Sequence, residues 1–146
     1  MSSKFKQMCF KGSKYFKKLT YKVIQLDFGI FYFLDKCIIA EINEGVHYSW
    51  EQEHELYLKL MEHYSADSKV GYISNRINAY SIDTEIWSKF VNEYDFIIAS
   101  AIVTYTDFSY LNATIEKEFS KKSLKRCTNL DQAINWVLGL SEFKEK

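Results

Sequence analysis

The stretch that decides the fold opens with Lys69-Val70-Gly71-Tyr72-Ile73-Ser74-Asn75-Arg76-Ile77-Asn78-Ala79-Tyr80-Ser81 and runs on to Asp107. Val70–Ser74 is short and apolar and reads as a strand. Asn75–Ser81 reads as a polar loop and Asp83–Tyr94 as a helix. Phe96–Val103 is a long apolar strand that ends in Thr104-Tyr105-Thr106-Asp107. Strand, helix and strand in so short a span predict a right-handed βαβ crossover, with both strands parallel and covered on both faces. Ligand and partner sites on such sheets lie beyond the carboxyl ends of the strands. The expected working edge therefore carries the Asn75–Ser81 loop and Thr104–Asp107.

On the amino-terminal side, Val23–Phe28 alternates in hydropathy until Gly29, Ile30–Leu34 follows, and Asp35-Lys36 turns the chain into Cys37–Asn43. These three strands predict an antiparallel meander. Ser49, with Gln52 three residues on, caps a helix over Trp50–Tyr64, with Trp50, Tyr57, Leu58, Met61 and Tyr64 on one face. Its early acids Glu51, Glu53 and Glu55 suit the positive end of the helix dipole. On the carboxyl side, Asp107 is expected to cap a helix whose core stripe is Phe108, Leu111, Ile115 and Phe119, with Glu116 and Glu118 on its solvated face. Leu124–Thr128 reads as an edge strand, suited by Lys125 and Arg126. A Thr128/Asp131 pair is expected to cap the last helix, with its stripe of Leu130, Ala133, Ile134, Val137 and Leu138 and its stop at Gly139. The order β-β-β-α-β-α-β-α-β-α predicts one α/β domain over residues 22–146. It has a mixed sheet with an antiparallel start and helices packed against it.

Residues 1–22 carry seven lysines and no acid, and the rest of the chain carries 12 basic against 19 acidic residues. The chain is thus a basic tail (1–21) on an acidic body. Such a body is a poor general binder of nucleic acid. The tail is expected either to be solvated or to meet an anionic surface. Lysine outnumbers arginine 17 to 2, which draws attention to Arg76 and Arg126. Three widely spaced cysteines lack any metal spacing and read as free thiols in a reducing cytoplasm. No run approaches the length of a membrane span, and no secretory signal is convincing, so stable membrane insertion is not expected.

The chain has no GxSxG, GxxxxGK[ST], GxGxxG or HExxH motif and only five glycines, so no cofactor, metal or phosphate-cradling loop is expected. His47, Ser81 and Asp107 could be assembled into a triad on paper, but nothing in their spacing requires it, and the expectation is a non-catalytic protein. The candidate partner- or ligand-binding residues are Asn75, Arg76, Asn78, Tyr80, Ser81, His47, Tyr105 and Asp107. Arg76 stands out as a planar multi-donor at a strand exit, with Asp107 the nearest candidate carboxylate for a clamp within the fold.

From Val23 to Leu140 the chain resembles the SpoIIAA-like branch of the STAS superfamily, the anti-sigma-factor-antagonist fold. The resemblance rests on the starting strands, the strand into Asn75–Ser81, the Phe96–Val103 strand and the finish Phe119-Ser120-Lys121-Lys122…Asn129-Leu130-Asp131-Gln132-Ala133-Ile134-Asn135-Trp136-Val137. The chain is also similar to a short protein type of marine Bacteroidetes. The family resemblance implies a cytoplasmic bacterial regulatory module that binds a protein partner, an anti-sigma kinase in the antagonists, and is switched by phosphorylation of a loop serine. The corresponding loop here is Asn75–Ser81. Ser81 lies closest to the helix start, and no Asp-Ser pair precedes it. Other members of the branch imply the alternative, a small-molecule or lipid pocket on the same edge. A deep apolar pocket lined by Tyr80, Tyr105 and Phe108 would favour the alternative, and a flat polar edge the protein partner.

Overall fold

The computed structural model describes residues 7–65, 67–88, 95–120 and 123–143. A 3-10 turn (Phe10–Gly12) and a short helix α1 (Tyr15–Lys18) lead into the meander β1 (Tyr21–Leu26), β2 (Gly29–Leu34) and β3 (Cys37–Ile42). The two-residue strand β4 (His47–Tyr48) precedes α2 (Trp50–His63), and β5 (Val70–Asn75) leads to the equally short β6 (Ser81–Ile82). A helical turn α3 (85–88) follows, and the rest of the expected Asp83–Tyr94 helix lies outside the described residues. Then come β7 (Ile97–Val103), α4 (Asp107–Lys117), β8 (Ser123–Cys127), α5 (Leu130–Leu138) and a last 3-10 turn (Ser141–Phe143).

Six strands form one sheet in the order β1-β2-β3-β5-β7-β8. The first two pairings are antiparallel, whereas β3–β5, β5–β7 and β7–β8 are parallel. The mixed sheet with its antiparallel start and the direct parallel pairing of β5 with β7 are as expected. β4 and β6 form an additional small parallel ladder beside it.

Strand alternation divides the core into two layers. Ile38, Ala40 and Tyr72 face α2, Trp87 and Ala113, whereas Ile39, Ile73 and Val103 face α5. α5 sits close on β5 because residue 71 has no side chain, and a Cβ there would lie 2.5 Å from Val137 Cγ1.

The basic segment expected as a solvated tail enters this second layer. Phe10 is fully buried, packed 4.6 Å from the Tyr32 ring and 5.5 Å from that of Tyr21. Its N–H donates to Glu41 Oε2 at 2.7 Å. Lys11, Lys14, Lys17 and Lys18 stay exposed while Met8, Tyr15, Phe16 and Leu19 pack inward. The aromatics interleaved among the lysines supply the apolar area that holds the segment down.

Two helical stripes are rotated from expectation. α2 buries Glu53, Leu56 and Leu60 and leaves Leu58 and Met61 exposed. Glu53 accepts the Tyr48 hydroxyl at 2.7 Å, which offsets the burial of a first-turn acid. α4 buries Ala113 and Glu116. Its apolar stripe faces out: Phe108 and Leu111 are each 63% exposed, Ile115 55% and Phe119 39%.

Cap positions also shift. Ser49 and Gln52 form the expected capping box. α4 is capped by Thr106, which accepts the Ser109 N–H, and α5 by Asn129, which accepts the Gln132 N–H at 2.7 Å. Asp107 and Asp131 are then first-turn acids, where the helix dipole favours them. Cys37 and Cys127 are buried free thiols, and Cys9 is half-buried.

Candidate functional site

The parallel strands β5 and β7 end side by side, and the chain leaving β5 meets the first turns of α4. Between them lies a half-open cleft of about 460 Å³. Ile77, Tyr80 and Ile82 wall it on one side and Tyr105, Phe108 and Ile115 on the other. Arg76 and Glu116 form its polar floor.

That floor is a buried ion pair. Arg76 Nη2 donates to Glu116 Oε1 at 2.7 Å and Nη1 to Oε2 at 2.9 Å, so the fork is bidentate. Nε donates to Ser74 Oγ at 2.7 Å, and the guanidinium carbon lies 5.0 Å from the centre of the Tyr80 ring. Trp87 Nε1 donates to Glu116 Oε1 at 2.9 Å. Burial works against the charge of Arg76, but the electron-rich face of the Tyr80 ring and the Glu116 carboxylate outweigh it and hold its pKa above the ordinary value. Burial likewise lifts the Tyr80 phenol, which stays neutral at physiological pH and shares a hydrogen bond with Ser74 Oγ at 3.1 Å.

A second polar node anchors the edge from behind. Asn75 is buried, donates from Nδ2 to Glu41 Oε2 and to the Met8 carbonyl, each at 2.9 Å, and accepts the Tyr105 hydroxyl at 2.6 Å. Burial raises the Glu41 carboxyl above its ordinary range, and the bonds from Phe10 and Asn75 pull it part of the way back. Gln7 donates to the Ile77 carbonyl at 3.1 Å, so the amino-terminal segment forms one lip of the cleft.

Asn78, Tyr80, Ser81, Tyr105 and Arg76 all line the cleft. Asn78 also ties its loop to the Ile42 carbonyl at 3.0 Å. Asn75 is turned inward and holds the strand ends together. The carboxylate that Arg76 grips is Glu116, not Asp107, which is exposed at the start of α4. Glu116, expected on a solvated face, is 3% exposed.

His47 and Ser81 do meet, Nδ1 to Oγ at 2.7 Å, because they are directly opposite each other in the β4–β6 ladder. Among the described residues no carboxylate is bonded to the other ring nitrogen, so the pair staples two strands and lacks the orienting group of a triad. No cluster of three or more metal-ligating side chains exists among the described residues. No described helix is long and apolar enough to cross a membrane.

The sequence reading missed Glu116, Trp87 and the Ile77, Ile82 and Ile115 walls. Glu116 had one legible signal, its place three residues after Ala113 on the least bulky face of α4. That small face allows close approach to Trp87 and Arg76.

No protein-family model and no curated protein matches the sequence. Among solved structures, the chain is similar to an uncharacterised protein of the DUF3478 family from Shewanella loihica PV-4. The two share 10% identity over 82% of this chain and 93% of the other, with a TM-score of 0.48. That protein is described as having a SpoIIAA-like fold.

Proposed function

We propose that this chain is a non-catalytic, cytosolic binding module that takes up an apolar or amphipathic small molecule in the cleft between the 76–82 segment and α4. The observation that carries the reading is the cleft itself: apolar walls over a polar floor whose charges are already paired. Ligand pockets combine such walls with a few fixed polar groups. Because Glu116 neutralises Arg76, the floor favours a neutral hydrogen-bonding head over a carboxylate, which would have to compete with an intramolecular partner already in place.

The outward stripe of Phe108, Leu111, Ile115 and Phe119 supports a second reading, a regulatory protein partner seated on α4. Native mass spectrometry of the purified protein, followed by titration with long-chain alcohols and fatty acids of matched length, tests the first. A retained apolar ligand, or preferential binding of the alcohol that weakens in Phe108→Asp and Ile115→Asp, is expected. An empty protein that binds neither series would overturn the ligand reading and leave the partner reading standing.

A further inference from the structure

We infer that the free edge of β8 is a second binding surface, built to accept an extended acidic segment of a partner protein as an added strand. β8 ends the sheet, and among the described residues it pairs with β7 alone. Alternate backbone N–H and C=O groups of an edge strand point outward and can pair with a further strand.

The surroundings of this edge form a groove of about 590 Å³. Tyr110 and Lys117 of α4 stand on one side and Trp136 of α5 on the other, with Lys125 and Arg126 of β8 between them. The groove therefore straddles the sheet edge, where an incoming strand would lie between two helices. Its cations are Lys117, Lys125 and Arg126, and no carboxylate lines it among the described residues. That concentration lies on a body with 12 basic and 19 acidic residues outside the first 22.

Arg126 is also fixed in place. Its guanidinium carbon lies 4.5 Å from the centre of the Tyr110 ring, and Nη1 donates to Thr114 Oγ1. Stacking and one hydrogen bond hold the plane while other N–H groups remain to meet a carboxylate, a geometry lysine cannot reproduce. Cationic edges also deter neutral strands from pairing with one another. The same charges that repel a second copy of β8 would attract an acidic strand, so selectivity and protection arise together.

The test is fluorescence anisotropy with a labelled peptide of alternating glutamate and valine, about six residues long, a usual strand length. Its controls are polyglutamate and the same peptide N-methylated at alternate residues. The alternating peptide should bind in a salt-sensitive manner. Lys125→Glu should weaken it about tenfold, and hydrogen exchange at Ser123–Cys127 should slow in the complex. Lys117→Glu, at an exposed position, serves as the second variant if Lys125→Glu does not fold. Absence of binding, equal binding of the N-methylated peptide or of polyglutamate, or indifference to both charge reversals would each overturn the inference.

Discussion

Arg76 and Glu116 stand 40 residues apart in sequence and meet fork to fork in the interior, with Nη2 and Oε1 2.7 Å apart. The pair joins the exit of the central strand to the third helix of its face, and Trp87 is bonded to the same carboxylate. This contact decides which way α4 turns. A buried guanidinium needs a carboxylate, and α4 supplies one only by presenting Ala113 and Glu116 inward and its apolar stripe outward.

Removing one partner strands a buried charge, so Glu116→Ala should lose about 3–5 kcal/mol of unfolding free energy. The double change Arg76→Met/Glu116→Leu should lose less than either single change. A cycle pairing Arg76→Lys with Asp107→Asn should show no coupling, and one pairing it with Glu116→Gln should exceed about 1 kcal/mol. Urea unfolding measures all of these.

Glu41 gives stability a pH dependence of a definite sign. Its folded pKa is raised by burial, so between the ordinary and the raised value the folded state holds a proton that the unfolded chain has lost. The stabilising proton is present in both states below that window, and stability falls as pH rises through it. Glu41→Gln keeps an acceptor for Phe10 and Asn75 and cannot ionise. The stability of Glu41→Gln relative to the natural chain should therefore grow from acid toward neutral pH. Parallel profiles in pH-dependent denaturation would contradict this.

At Gly71 a methyl group would collide with Val137. Gly71→Ala should destabilise by about 1–3 kcal/mol through overpacking. In a Val137→Ala background the same change should cost clearly less, because the space is then open. Thermal unfolding of the four proteins reads out the cycle.

The cysteines should differ in reactivity. Burial pushes the Cys37 thiol up to about 12 and the Cys127 thiol to about 11. At neutral pH an alkylating reagent should therefore label half-buried Cys9 first and reach the other two only on unfolding. Peptide mass spectrometry with and without denaturant checks the order, and labelling of Cys37 in the native protein would count against it.

Local pattern alone carried the six strands of the main sheet. The alternation of Val23–Phe28, the turn at Asp35-Lys36 and the apolar runs of β5 and β7 are legible because a period of two and a tight turn are short-range properties. The parallel pairing of β5 with β7 follows from the length of chain between them, which is enough for a crossover and too long for a hairpin. The same local reading put Asn78, Tyr80 and Tyr105 together at the strand ends, and all three line the cleft. It failed wherever two faces of one element competed for the interior. Periodicity says that Phe108, Leu111, Ile115 and Phe119 share a face of α4, and that Ala113 and Glu116 share another. It does not say which face is buried. Arg76, arriving from a strand 40 residues earlier, settled that, because an unpaired buried charge costs more than four partly solvated apolar side chains. The basic segment is the converse case. Its lysines read as solvated and are, but only the completed sheet offers the slot beside Tyr32 and the carboxylate of Glu41 that draw Phe10 into the core.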